Sequence, residues 1–195
     1  MTYFGNAPAD CQTIINQAVV AANAEDSLFR PDPATTKMHI ACIDRQGKVR
    51  GFDSMADAWA GSIDIARAKA YTALAFSSNQ NALSTRDIGC LSQPGGPLWQ
   101  IGNSNRPAIV FPGQPPKAFK RHGLIEFPGG QPLYKGDPAE LVGGIGVSGD
   151  GVDQDENVAE AGAVGFEPPA AIRSDTVLQL PYTDDPDPAT GDPCK

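Results

Sequence analysis

The sequence predicts an α+β fold in which helices pack against one antiparallel sheet. Three observations support it. Two short apolar segments joined by a turn indicate a β-hairpin, and helical periodicity lies on both sides of that hairpin. A glycine-rich apolar strand then precedes a last helix. The 195 residues are enough for one domain with a sizeable core.

The first half of the chain carries the clearest helix and hairpin patterns. Residues 12–24 place apolar side chains on one helical face, and residues 62–78, SIDIARAKAYTALAFSS, form the strongest helical pattern. Between them, MHIACID (38–44) and KVRGFDS (48–54) are strand-length segments around the turn-forming DRQG. The alanines of the second helix suit close packing on a sheet or at a subunit contact.

The second half is richer in loops. A short helix is predicted at 84–92, and residues 93–140 are rich in Pro and Gly, with AIVF, LIEF and PLYK as strand-length pieces. ELVGGIGVSG (140–149) is a further strand, and 153–164 form the last helix. The final residues, 178–195, have little to bury, so we expect them to run over the surface or to be disordered.

Charge and hydropathy exclude two classes of partner. The net charge is -8, whereas binding to a nucleic-acid backbone requires clustered Lys and Arg. The nearest such cluster is small and consists of Lys117, Lys120, Arg121 and His122. An apolar run of about 18 residues, as a membrane span requires, is missing from the sequence. The N-terminus does not resemble a secretory signal, so a cytoplasmic protein is expected, or an exported one if a signal has been removed.

The four cysteines do not form a CxxC pair, so a zinc knuckle is not predicted. Cys42 lies in an apolar segment and is predicted to be a buried thiol. Cys11, Cys90 and Cys194 lie in loop-like or terminal surroundings. A disulfide among these three is possible if the protein is exported.

The stretch GGIGVSGDGVDQDENVAEAG (143–162) joins the glycine strand to an acidic helix start. A phosphate loop is disfavoured because Lys-Ser/Thr does not follow the glycines. Asp153 and Glu156 have the D-x-x-E spacing of a capping box, and this interpretation is favoured. A surface cation held by Asp150, Asp153 and Asp155 remains the alternative.

Several further residues are candidates for chemistry. Gly146 and Gly149 permit close approach either by a packed helix or by a flat ligand, and the sequence leaves both open. His39 and His122 are the two histidines; a structural or surface role is the simpler interpretation for each, but they are also the available imidazole ligands for haem iron.

Four segments, taken together, resemble the GlcG/HbpS haem-binding family, which includes the C-terminal domain of PduO. MHIACIDRQGKV ends in D-x-x-G, and ARAKAYTALAF resembles the family's KA-x-TA-x-x-F segment. FPGGQPLYK is similar to its GG-x-P strand, and GGIGVSG followed by QDE resembles its most distinctive signature. The similarity covers about residues 12–165.

The resemblance implies a profilin-like antiparallel sheet flanked by helices, in a homo-oligomer that binds haem, a related tetrapyrrole or another flat cofactor. The domain would span 1–166 with an inserted Pro/Gly-rich region at about 93–127, followed by an acidic tail at 167–195. The expected cofactor-binding residues are His39, His122, Lys69, Arg121, Gly146 and Gly149.

Two alternatives to a binding protein are kept open. One is an enzyme that acts on a small metabolite in an oxidation or cofactor pathway, with Lys69, Asp44 or Asp155 as acid-base groups. The other is a structural accessory subunit, in which the alanine-rich helix and the acidic tail serve assembly.

Overall fold

Helices and strands follow one another along the chain in much the order that the sequence predicts. The structure, a computed structural model, describes residues 7–101, 123–183 and 194. The strands are β1 (His39–Asp44), β2 (Val49–Ser54), β3 (Gly130–Lys135) and β4 (Glu140–Ser148). The helices are α1 (Ala7–Ala22), α2 (Ser62–Ala75), α3 (Thr85–Leu91), α4 (Val152–Ala163) and α5 (Ser174–Val177). In the part of the chain that is described, no helix is long and apolar enough to cross a membrane.

The four strands form one antiparallel sheet in the order β2-β1-β4-β3. All six residues of β1 are buried, because this central strand is covered on both faces. Ile40 and Cys42 face α1 and α4, whereas Ala41 and Ile43 face α2. The predicted α+β fold, an antiparallel sheet flanked by helices, is therefore confirmed.

The glycines of β4 allow α2 to lie directly on the sheet. A Cβ atom at Gly146 would be 2.1 Å from the carbonyl oxygen of Ala66 and 2.4 Å from the amide nitrogen of Ala70. One at Gly144 would be 2.4 Å from the carbonyl oxygen of Ala70. The alanine-rich helix is thus a sheet-packing helix, and the helix-packing interpretation of Gly146 is the one that the structure supports.

The structure contains two disulfides: Cys11–Cys42 corrects the prediction of a free thiol at Cys42, and Cys90–Cys194 joins two of the three cysteines for which a disulfide was considered. Cys42 is buried as expected, but it is bonded to Cys11, with a Cα–Cα distance of 5.6 Å, and is not a free thiol. This bond joins α1 to the central strand. A second disulfide joins Cys90 at the end of α3 to Cys194, 104 residues away.

The side-chain cap that the sequence predicts at the last helix is found at a different helix. α4 begins at Val152 after Gly151, and no side chain caps it, so the predicted capping box of Asp153 and Glu156 is wrong. A capping box is instead formed at α3 by Ser84 and Asp87.

Of the predicted short strands, PLYK belongs to β3, LIEF (124–127) is irregular, and AIVF lies outside the described residues.

Residues 167–183, here called the C-terminal segment, pack along the outer edge of β3 and beneath α3. Just before it, the Phe166 carbonyl accepts a hydrogen bond from the amide of Tyr134 in β3. The backbone of Arg173 forms an isolated parallel β-bridge with Ala82, and Ser174 is fully buried. Tyr182 is only 7% exposed, so the expectation that this part of the tail has little to bury is wrong.

Candidate functional site

The residues singled out in α2 and α4 form a buried ion pair. The Lys69 Nζ donates to Asp155 Oδ2 at 2.6 Å and to the Val147 carbonyl at 2.9 Å. The other carboxylate oxygen of Asp155 accepts from the amides of Gly149 at 3.0 Å and Asp150 at 3.1 Å. The two side chains are 1% and 3% exposed, so this pair joins α2, the end of β4 and α4 inside the protein.

The double glycine before β3 makes room for this pair. Gly129 has a φ of +108°, and a Cβ there would lie 2.8 Å from the Asp155 Cβ and 2.9 Å from the Lys69 Nζ. The amide of Gly130 donates to Thr85 Oγ1 at 2.9 Å, which ties β3 to α3. A glycine is therefore required at position 129 of the GG-x-P motif, because any side chain there would collide with the Lys69–Asp155 pair.

A second ion pair lies beside the first. Arg86 of α3 donates from Nε to Glu156 Oε2 at 2.7 Å and from Nη2 to Asp153 Oδ1 at 3.1 Å. Glu156 is fully buried, and Arg86 is 6% exposed. The acidic side chains at the start of α4 thus form ion pairs with Lys69 of α2 and Arg86 of α3. We call the four buried side chains Lys69, Asp155, Arg86 and Glu156 the charged cluster.

Burial shifts both members of the Lys69–Asp155 pair towards their neutral forms. Desolvation lowers the pKa of Lys69 and raises the pKa of Asp155, while their mutual attraction opposes both shifts. A lysine with a lowered pKa is a common acid-base group. Here its amine is enclosed and already donates to two partners, so the arrangement acts as a structural link.

Of the three acid-base candidates, Lys69 and Asp155 are in contact, whereas Asp44 lies apart from them. Asp44 lies at the other end of β4 from Asp155, where it pairs in register with Gly143. Its carboxylate accepts from the turn amides of Gln46 and Lys48 at 2.9 and 3.0 Å, and from Arg50. Asp44 therefore closes the β1–β2 turn.

The three aspartates proposed for a cation each have a different partner. Asp150 accepts from the Ser27 hydroxyl and from the Leu28 amide, while Asp153 pairs with Arg86 and Asp155 with Lys69. Within the described residues, no group of three or more His, Cys, Asp or Glu side chains is arranged to hold a metal ion.

His39 is held by both of its ring nitrogens. Nε2 lies 3.0 Å from the Trp59 carbonyl, which can only accept, so Nε2 carries the proton. Nδ1 then accepts from the Ser54 hydroxyl at 2.9 Å, and the ring stacks on Phe52. With 4% exposure, His39 does not fit the role of an axial iron ligand in this geometry. His122 and Arg121 lie outside the described residues.

A cavity of about 440 Å³ opens between β3, α4 and the C-terminal segment. Its lining includes Gln131 of β3, Asn157 of α4, and Arg173 and Tyr182 of the C-terminal segment. Sequence analysis missed it, because these residues come from three separate parts of the chain. Gln131 occupies only the variable position of the GG-x-P motif, so the motif did not single it out.

Comparison with known proteins gives a match over the part of the chain that contains these framework residues. The model of the family described as "Haem degrading protein HbpS-like" matches residues 8–164. The chain belongs to the HbpS-like family. The expected resemblance is therefore confirmed, and the matched region contains the charged cluster and both motif glycines at 129 and 130 but ends before the C-terminal segment. A comparison with curated protein sequences finds no match for this HbpS-like chain.

Solved structures show the same fold at low identity. The PduOC:Heme complex has a TM-score of 0.60 and 23% identity, and the alignment covers 81% of this chain and 92% of that one. HbpS has a TM-score of 0.59 and 22% identity, with 85% and 91% covered. Klebsiella pneumoniae ORFY has a TM-score of 0.59 and 22% identity, with 80% and 87% covered.

Proposed function

We propose that this HbpS-like protein is a homo-oligomer that binds haem or a related tetrapyrrole. The observation that carries the proposal is family membership over 8–164, together with the fold shared with the PduOC:Heme complex. The geometry of the charged cluster supports a binding role over catalysis. Its acid-base groups are enclosed and bonded to each other, and no substrate reaches them in this arrangement.

The iron ligand in this proposal is His122. His39 would have to break a hydrogen bond to Ser54 or Trp59 and leave a buried position before it could bind iron. His122 is the other histidine of the sequence, and it follows Arg121 directly. In the proposal, the Arg121 guanidinium pairs with a haem propionate. Bound haem would supply a redox-active iron centre, while Lys69, Gly146 and Gly149 maintain the framework.

Titration with hemin tests this assignment. We expect a saturable, shifted Soret band with the unaltered protein, and the loss of that shift in His122→Ala. His39→Asn keeps a side chain that can donate and accept, so it serves as the matched variant and should retain the shifted band. A band that survives in His122→Ala would contradict the assignment, and the absence of any saturable band would overturn haem binding.

Self-association is the second part of the proposal. The rings of Phe29 and Trp59 contact each other at a tilt, with centroids 5.7 Å apart, yet they are 57% and 45% exposed, and the neighbouring Leu28 is 63% exposed. A cluster of exposed apolar side chains of this kind is typical of an interaction surface. Light scattering should therefore show an oligomer, and Phe29→Ser with Trp59→Ser should lower its mass. A monomer at micromolar concentration would overturn this part.

We also propose that the protein is exported to an oxidising compartment. Two disulfides, Cys11–Cys42 and Cys90–Cys194, support it, because such bonds are rare in reducing cytosol. Maleimide labelling of denatured protein from its native cells should find no reactive thiols. Labelling of all four cysteines would contradict export.

A further inference from the structure

The cavity beside β3 is built partly from residues that the family model does not cover. Gln131 and Pro132 come from β3, and Asn157 comes from α4. Further residues of α4 also line it, and the rest of the wall, including Arg173 and Tyr182, comes from the C-terminal segment beyond the matched residues 8–164. The cavity is therefore a feature that the additional segment of this chain completes.

Gln131 and Tyr182 carry buried polar atoms to which no described residue is hydrogen-bonded. Gln131 is 2% exposed, and neither its Oε1 nor its Nε2 has a hydrogen-bond partner within the described residues. The Tyr182 hydroxyl is also buried without a partner there. Most buried polar atoms in proteins are hydrogen-bonded, since an unmatched one is unfavourable. Both groups belong to residues that line one cavity, and a bound molecule that reaches them would complete their hydrogen bonds.

The charges around the cavity select against an anion. The Arg173 guanidinium is already paired with the Asp175 carboxylate through Nε and Nη2. Glu160 and Glu167 also line the cavity, and both carry negative charge when ionised. A carboxylate or phosphate would meet these two acids without an uncommitted cation on the named lining. The same argument disfavours the propionates of haem, so this cavity is distinct from the proposed haem site.

The chemistry of Gln131 defines the ligand more closely. A side-chain amide offers a donor and an acceptor side by side, and it pairs best with a group that presents an acceptor and a donor in the same spacing. A second amide has this pattern. Pro132, Val164 and Pro168 supply apolar contact area, and the volume lies within the usual range for small-molecule sites.

We propose that this cavity binds a small, neutral molecule that carries an amide on a flat apolar body. In the complex, the ligand carbonyl accepts from Gln131 Nε2, and the ligand N–H donates to Gln131 Oε1. The Tyr182 hydroxyl forms a further hydrogen bond with the polar end of the ligand. Bonding of the ligand to the C-terminal segment also holds that segment against the edge of the sheet.

Calorimetric titration with nicotinamide and nicotinate tests the proposal, because these probes differ only in amide against carboxylate. We expect nicotinamide to bind the unaltered protein at least about tenfold more tightly than nicotinate, as one or two hydrogen bonds would provide. Gln131→Leu should lose about tenfold in nicotinamide affinity, and Tyr182→Phe should lose somewhat less. Gln80→Leu changes an exposed glutamine outside the cavity and should bind like the unaltered protein.

Thermal unfolding separates a ligand role from a structural one. Gln131→Leu removes two unsatisfied polar atoms, so its melting temperature without ligand should rise while nicotinamide binding falls. A lowered melting temperature would show that Gln131 has protein or water partners, and would overturn the proposal. So would the absence of nicotinamide binding, or equal binding of the two probes. Hemin titration of Gln131→Leu should be unchanged, which separates this test from the haem proposal.

Discussion

The Lys69–Asp155 pair of the charged cluster and the cavity beside β3 are two buried polar regions with opposite hydrogen-bond states. In the cluster, the Lys69 amine and both Asp155 oxygens are bonded within the chain. In the cavity, the Gln131 amide and the Tyr182 hydroxyl are buried, and no residue in the described part of the chain is bonded to them. Burial of polar groups is unfavourable in both regions unless hydrogen bonds compensate it. The comparison indicates that the ion-paired motif residues of this family member maintain the framework, whereas the cavity beside β3 has the character of a site.

Removal of one charge from the cluster should have the largest effect on stability. Lys69→Met leaves the buried Asp155 carboxylate without its cation, and breaking such a pair costs about 3–5 kcal/mol. Urea denaturation should show this loss in the free energy of unfolding. Lys69→Met combined with Asp155→Leu should recover part of it, because no uncompensated charge then remains.

A surface ion pair provides the control for this prediction. Lys135 pairs with Asp10 at 2.8 Å, but its side chain is 46% exposed, and such pairs contribute about 0–1 kcal/mol. Lys135→Met should therefore have little effect. Equal effects of Lys69→Met and Lys135→Met would show that the cluster does not hold α2, β4 and α4 together.

The Cys11–Cys42 disulfide is expected to have the next largest effect. It joins residues 31 positions apart, and the loss of a bond that closes a loop of this length costs about 3–4 kcal/mol. Cys11→Ala with Cys42→Ala should lower the free energy of unfolding by this amount. If the double variant were as stable as the unaltered protein, the bond would have no part in the stability of the α1 side of the sheet.

The sequence predicts the framework better than the cavity, and the reason is physical. Helical periodicity at 62–78 and the hairpin around DRQG are local patterns, so both elements are found where expected. Lys69 and Asp155 were each singled out, but their contact spans 86 residues, and spacing alone does not reveal it. Lys69 lies in the KA-x-TA-x-x-F segment and Asp155 in the QDE signature. That both belong to motifs of the same family was the signal from which their contact could have been predicted.

Other features depend on contacts that no local pattern records. Cys11 lies in a helix and Cys42 in a strand, and only the packing of α1 on the sheet brings their sulfurs together. The cavity needs β3, α4 and the C-terminal segment to meet, and each contributes residues that look ordinary in sequence. Tyr182, in a Pro- and Asp-rich stretch, is buried in a cluster that includes Leu74 of α2 and Tyr134 of β3, which are distant in the sequence.

Close packing of the glycine strand should account for a smaller effect. In Gly146→Ala, the new methyl group would lie 2.1 Å from a backbone oxygen of α2, so the helix must move, at a cost of about 1–3 kcal/mol. Gly61→Ala is the matched control, since a Cβ there meets nothing within 4 Å. Chemical denaturation should distinguish the two variants. Equal stability would mean that α2 and β4 are not closely packed at Gly146.

The last expected effect depends on pH and concerns Asp87, which connects the framework to the C-terminal segment. Its Oδ2 accepts from the Ser84 amide in the α3 cap and from the Ser174 hydroxyl of the C-terminal segment. Burial raises the pKa of Asp87 to about 7, although these hydrogen bonds oppose the shift. In the unfolded chain the pKa is near 3.8, so the folded state holds a proton between these two values.

The sign of the pH dependence follows from that difference. Stability from the protonated Asp87 is fully present below about pH 4 and is lost as pH rises towards 7, by up to about 1.4 kcal/mol per pH unit. Asp87→Asn cannot ionise, so the difference in unfolding free energy between the two proteins should change with this slope between about pH 5 and 7. Above the folded pKa, hydrogen exchange should accelerate in the segment around Ser174 while the amides near Asp155 stay protected. A constant difference between the two proteins across this range would show that Asp87 does not titrate there, and acceleration at both places would show that the two regions open as one unit.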